Sequence, residues 1–303
     1  MVNQLRKLGI VVALMVVLLL GVLLLANSYT VIGLTSEVGI AVFDFSAYDV
    51  SQVPQSVVED ATALAVELFG DYQGKYDTFV KQLLATYIEA KGKDFVVVFN
   101  SGGWGWNLLE ESLGWHSIIG GIDSELQELG YTSFFMDYRR TEGTFLGVID
   151  EVVEMLTFYP SKAENLARRI EFLTKHLPEV RIIVAGESDG TIISDSTMYI
   201  LQNNPHVYSI QTGPPFWHKS LKLGRTLVLD DNGMHPDSFS QGNVIVILWS
   251  SLKDLFGIPH EPDEVGRILD YVRAPGHDYS WQYQEVCFQI STFLKSNFGA
   301  KER

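Results

Sequence analysis

The 303-residue chain contains one cysteine, Cys287, so it has neither an internal disulfide framework nor a multi-cysteine metal cluster. HExxH, GxxxxGK(S/T) and CxxC patterns are missing, which removes the usual sequence arguments for a zincin, a P-loop enzyme or a thiol redox enzyme. Basic residues are scarce. Twenty-two Lys and Arg stand against 37 Asp and Glu, and the net charge of -15 repels phosphate backbones and anionic membrane surfaces at long range. A nucleic-acid partner is therefore not expected. With 19% charged and 47% hydrophobic residues the chain is too apolar for disorder, and no repeat or low-complexity tract is visible. Its length suits one large domain with appendages, or two small ones.

One segment lacks charge altogether. From Leu8 to Ala26 the chain reads LGIVVALMVVLLLGVLLLA, which as a helix spans about 28 Å of hydrocarbon, enough to cross a bilayer. A cleaved signal peptide is the competing reading, with a mature protein starting near Asn27. Its apolar region is usually only about 7–15 residues, and Leu24 poorly suits the small-residue position before a cut after Ala26. The segment reads as an uncleaved transmembrane anchor. Arg6 and Lys7 precede it, and no Lys or Arg follows until Lys75, so residues 1–7 are expected in the cytoplasm and the rest outside it.

Residues 27–93 read as a membrane-proximal extension of the main domain, which spans 94–303. TVIGLTSEVGIAVFDF supplies one or two strands, and Ser56 with Glu59 forms a capping-box pattern opening a helix through about Phe69. A second helix runs from about Asp77 to Ala90, with Phe79, Leu83, Leu84, Tyr87 and Ile88 on one face.

From Asp94 onward strands and helices alternate. DFVVVFN is a short β-branched run ending in SGGWG, as in a buried parallel strand followed by a tight loop. Ile118, Ile119, Ile122, Leu126 and Leu129 recur at helical spacing up to Gly130, and YTSFFMDY follows as a strand. Leu166, Ile170 and Leu173 mark a helix closed by Pro178. RIIVAGE then reads as a strand, TIISDSTMYILQ as a helix, VYSIQTG, NVIVILW and ILDYVRA as strands, and WQYQEVCFQISTFLKSNF as the terminal helix. This specifies an α/β fold, a mainly parallel sheet with helices on both faces and ligands at the carboxyl ends of its strands. Cys287 falls on the terminal helix's apolar stripe with Tyr283, Ile290 and Leu294 and reads as a packing thiol.

Gly186-Glu187-Ser188-Asp189-Gly190 is a GxSxG pentapeptide between a predicted strand and a predicted helix. A serine on such a sharp turn projects its hydroxyl above the sheet, and the N–H of Asp189 at the helix start can face a developing oxyanion. The alternative is a plain Gly-Ser turn. A serine nucleophile needs an imidazole. His277, late in the chain after the last predicted strand, fits best. His116, His176, His206, His218, His235 and His260 lie upstream, in loops or at helix ends.

The carboxylate that fixes the imidazole tautomer should follow the penultimate strand. Asp254, in WSSLKDLFGIP after NVIVILW, is the first choice. Asp230 or Asp231 takes its place if RTLVLDD is that strand, and Asp263 is a further option. Gly102 and Gly103 in NSGGWG are candidates for the second oxyanion donor. Trp104, Trp106 and Trp217 line an apolar pocket if the loops meet at one sheet edge, and otherwise belong to the core. Glu187 and Asp189 disfavour anionic substrates. Asp230-Asp231-Asn232 near His235 reads as a solvated turn and not as a cation site.

GESDG after a strand, SGGWG after an earlier one and GHDYSW before the terminal helix resemble the α/β-hydrolase superfamily over roughly residues 94–298. The resemblance implies an eight-stranded-type sheet and acyl-transfer hydrolysis by a Ser-His-acid triad carried on Ser188, His277 and Asp254, with neither metal nor cofactor. Asn100-Ser101 stands where many members have His-Gly, and Asp189 follows the nucleophile where a small or apolar residue is commoner. No long helical cap separates Gly213 from Asn243, so a large lid is not expected. The sequence reading is a membrane-anchored serine hydrolase acting on an uncharged or apolar carboxylic ester, a small or lipid-like molecule. Its alternatives are an amidase or thioesterase with the same triad, and a non-catalytic scaffold of the same fold.

Overall fold

The structure, a computed structural model, describes residues 39–40, 49–70, 73–105, 107–141, 151–155, 157–221, 223–259, 266–269 and 272–301. The expected anchor at 8–26, Trp106, His260 and Asp263 lie outside these residues. Among the described residues no helix is long and apolar enough to cross a membrane.

The chain forms β1 (Gly39–Ile40), α1 (Gln55–Phe69), α2 (Gln73–Ala90), β2 (Phe95–Asn100), α3 (Leu113–Glu128), β3 (Ser133–Arg139), α4 (Pro160–His176) and β4 (Arg181–Glu187). Then come α5 (Gly190–Ile200), β5 (Val207–Thr212), β6 (Thr226–Leu229), α6 (Val244–Leu255), β7 (Arg267–Leu269), β8 (Val272–Arg273) and α7 (Gln284–Phe298). The main sheet has the order β1-β3-β2-β4-β5-β6. The run from β3 to β6 is parallel, and β1 pairs antiparallel with β3 at the edge. This is the expected α/β architecture, a mainly parallel sheet with helices on both faces. From β2 the chain steps outward to β3, whereas from β4 it steps the other way to β5 and β6. The loops after β2 and β4 therefore diverge over a crevice, the switch point at which such sheets bind ligands.

Both faces of the sheet are covered, which is why FVVVFN is buried along its whole length. Val96, Val98, Ile182 and Val184 point into one core with α1, α2, α4 and α5, represented by Ala61, Leu83, Leu166 and Ile193. Phe95, Val97, Phe99 and Ile183 point into the other with α3 and α7, represented by Ile118, Ile122, Val286 and Ile290. Each such side chain contributes about 1.5–3 kcal/mol relative to exposure, so an Asp at Val97 would leave an uncompensated charge between sheet and helices. Helices α1 and α2 thus share a core with the sheet.

Three local expectations change. NVIVILW is helical. Asn243 caps α6 by accepting a hydrogen bond from the Val246 N–H at 3.4 Å, and the helix runs for twelve residues, six of them beyond the apolar VIVILW. Where ILDYVRA is expected as one strand, Arg267–Leu269 and Val272–Arg273 instead pair antiparallel as β7 and β8, outside the main sheet. The sheet therefore ends at β6, with six strands among the described residues in place of the eight-stranded type. Helix α1 starts as expected, but its N-cap is Pro54 without a side-chain cap, and Glu59 instead accepts from Gln55 at 3.2 Å.

Candidate active site

Ser188 sits on the turn between β4 and α5 at φ +50°, a conformation that costs a non-glycine residue about 1–3 kcal/mol and persists only when its surroundings enforce it. The enforcement is visible. The Ser188 N–H donates to Thr212 O at the end of β5 (2.9 Å), and Ser188 O accepts from the Thr191 N–H (2.9 Å) and hydroxyl (2.7 Å). The pentapeptide glycines are needed for close approach. A Cβ on Gly190 would lie 2.2 Å from Asn100 O, and one on Gly186 would lie 2.6 Å from Ser194 Oγ. Asn100, in place of the commoner His, ties the end of β2 to this turn by donating to Ala185 O and Ser194 Oγ. Ser188 Oγ is buried and makes no hydrogen bond to a described residue.

The loop Ser101–Gly105 passes directly over the turn, and a Cβ on Gly102 would be 3.0 Å from Ser188 Cβ. A fully buried cation holds it. The Arg140 guanidinium donates to Ser101 O and, at 2.6 Å, to Gly103 O, while its Nε pairs with the buried Glu151 at 2.6 Å. In a trans peptide the N–H points opposite the preceding C=O. Turning those two carbonyls onto Arg140 therefore turns the N–H groups of Gly102 and Trp104 away from it. The Gly102 N–H meets Glu187 Oε2 at 3.3 Å, and the same oxygen accepts from Ser112 Oγ at 2.8 Å. Burial pushes the Asp189 carboxyl up to about 6, with Arg140 partly opposing the shift.

His277 reaches the same strand end from the other side. Gly213, next to Thr212, has φ +63°, and a Cβ there would lie 2.6 Å from His277 Cε1. His277 Nδ1 lies 2.9 Å from Asp237 Oδ2. Asp237 also accepts from Tyr279 OH (2.8 Å), Ser240 Oγ (2.9 Å) and the N–H groups of Phe239 (2.8 Å) and Ser240 (3.1 Å). Burial acts to raise its pKa, but the hydrogen bonds led by His277 outweigh it and hold the carboxyl below its ordinary value. Ionised, Asp237 can only accept, so Nδ1 carries the proton.

Asp254, the carboxylate first expected beside His277, is elsewhere. It receives a two-pronged hydrogen bond from Arg273, Nε at 2.8 Å and Nη2 at 3.0 Å. The expected strand is helix α6, which carries Asp254 past the loop that meets the imidazole. Asp231 accepts from the Gly233 N–H and forms an isolated bridge with Pro236, and neither Asp230 nor Asp231 hydrogen-bonds His277. With β6 as the last main-sheet strand, HPDSFS becomes the loop in which to look. Asp237 announces itself there by capping the two N–H groups that follow it, an Asx-turn signature.

Phe239 lies edge-on to the His277 ring at 4.8 Å and meets Trp217 at 5.3 Å, which brings Trp217 to the site through an intermediary. The Trp217 segment is pinned from behind, because the buried Asp195 of α5 binds His218 Nε2 at 3.0 Å and the Leu221 N–H at 2.7 Å. Trp104 is half-buried on the Arg140-held loop. Indole Nε1 of the buried Trp115 donates to Thr212 Oγ1 at 2.9 Å and so fixes the strand end that Ser188 and His277 share.

No protein-family model and no curated protein matches the chain. Among solved structures, Trichoderma reesei cutinase in complex with a C11Y4 phosphonate inhibitor is similar, at 14% identity and a TM-score of 0.35, over 63% of this chain and 82% of that one.

Proposed function

We propose that the protein is a serine hydrolase that cleaves an uncharged carboxylic ester. The observation that carries this reading is the buried Asp237–His277 pair packed against the strand end that also holds the positive-φ Ser188. Ser188 Oγ attacks the carbonyl while its proton passes to His277 Nε2, the nitrogen left by the Nδ1–Asp237 bond. The N–H of Asp189 and that of Gly102 or Gly103 stabilise the tetrahedral oxyanion. Collapse expels the alcohol, which takes the proton from His277, and leaves an acyl-serine. Water, deprotonated by His277, then releases the acid and restores Ser188. The carboxylates of Glu187 and Asp189 beside the nucleophile and the rings of Phe239 and Trp217 support an uncharged, apolar acyl group. Residues 8–26 anchor this domain to the membrane, outside the cytoplasm.

One contact favours the non-catalytic scaffold instead. The Gly102 N–H already holds the Glu187 carboxylate, which a substrate oxygen would have to displace. A panel of ester, thioester and amide substrates with neutral and carboxylate-bearing acyl groups separates the readings. Neutral esters should be cleaved with an initial burst, at least about tenfold faster than anionic ones, and Ser188→Ala should be inactive. A folded chain that cleaves nothing in the panel is the scaffold.

A further inference from the structure

Helix α6 turns a row of large apolar side chains outward. Ile245 is 81% exposed, Trp249 59% and Phe256, at its C-cap, 72%, with Leu252 also exposed. Steps of four, three and four residues put all four on one face. A surface helix normally turns such a stripe inward, and exposed patches of this kind mark interaction sites. The row continues into the catalytic loops. Phe216 packs where Gly242 leaves room, just before the α6 cap, and touches Trp217, which meets Phe239 against His277. Phe216 and Trp217 are themselves exposed.

The chain enters the domain at this same edge. Gly39 and Ile40 pair with Arg139 and Tyr138, the last residues of β3, whose parallel neighbours end at the crevice. Residues 27–38 separate that entry from the uncharged run 8–26 and can reach at most roughly 40 Å. The carboxyl-end edge that carries Ser188, His277 and the apolar row is therefore within reach of a membrane holding that run.

We propose that α6, with Phe216 and Trp217, docks on a lipid bilayer, and that the ester substrate is drawn from that bilayer. The substrate half rests on the serine-hydrolase reading, and the docking half does not. None of the outward residues is acidic, but the chain's net charge of -15 opposes anionic lipid, so the surface suited to it is zwitterionic.

The full-length chain in phosphatidylcholine vesicles with brominated acyl chains tests this. Every tryptophan lies at position 104 or beyond, so the run 8–26 adds no signal. Bromine should quench the wild-type fluorescence, and most of the quenching should disappear in Trp249→Phe and in Ile245→Glu/Phe256→Glu. The double variant should lose at least about tenfold in hydrolysis of a bilayer-borne fluorogenic ester and keep its rate on a water-soluble one. Absence of quenching in the wild type, equal loss on both substrates, or Trp249→Cys cross-links between two copies would overturn the proposal. If the soluble ester is not cleaved, the hydrolase reading has failed and quenching alone decides the docking.

Discussion

Asp237 Oδ2 and His277 Nδ1 lie 2.9 Å apart, and the carboxylate side of that bond is fully buried. Five hydrogen bonds converge on Asp237, enough to keep it ionised where burial alone would neutralise it. This pair, and not Asp254, fixes the imidazole. Asp237→Asn should lower kcat by about 10³–10⁴-fold with little change in KM, because the amide no longer enforces the Nδ1–H tautomer. Asp254→Asn should stay within about threefold of wild type, since its carboxylate meets Arg273 and not the imidazole. Steady-state kinetics on one soluble ester compares the two.

Gly213 is where sterics and backbone agree. An added methyl meets the His277 ring at 2.6 Å, and φ is +63°. Gly213→Ala should displace the imidazole and cost at least about 10²-fold in kcat, along with about 1–3 kcal/mol of stability. Gly224→Ala, with no described residue within 4 Å of the new methyl, is the matched control and should change neither. Paired kinetics and thermal melts read both effects.

Arg140 orients the Ser101–Gly105 loop, the proposed source of an oxyanion donor, through two carbonyls at once. Lysine keeps the charge facing Glu151 but not the planar fork. Arg140→Lys should therefore lower kcat by about 10²-fold while KM moves less than about threefold, and should weaken a trifluoromethyl ketone that mimics the tetrahedral adduct. Equal effects on KM and kcat would point to a general packing defect.

Asp189 carries a pH signature. Its folded pKa of about 6 lies above the ordinary 3.8, so between those values the folded state holds a proton that the unfolded state has released. Stability therefore falls as pH rises through this window, by about 3 kcal/mol once the buried acid is ionised. Asp189→Asn keeps the backbone N–H and removes the ionisation. Its melting temperature should match wild type near pH 4 and exceed it by several degrees at pH 7.5. A gap independent of pH would contradict the assignment.

The sheet was legible because β2 and β4 are β-branched runs buried on both faces, a pattern few other structures produce. The sharp turn at Ser188 was legible because a strand, two glycines and a helix surround it. Asp237 was not, since VIVILW serves equally as a buried strand or a nearly all-round apolar helix, and periodicity cannot choose between them. The cap at Asn243 was the deciding local signal. Arg140 was invisible because it grips the loop through two backbone carbonyls, which leave no trace in side-chain spacing, and its carboxylate partner, Glu151, falls at no local helix or strand spacing from it.

The most direct measurement is fluorophosphonate labelling of the full-length chain, with the modified residue located by mass spectrometry. Stoichiometric modification of Ser188 is expected, absent in Ser188→Ala, slowed at least about 10²-fold in Asp237→Asn and in His277→Ala, and unchanged in Asp254→Asn. A folded wild-type protein left unlabelled at Ser188, or labelled equally fast without His277, would contradict the account.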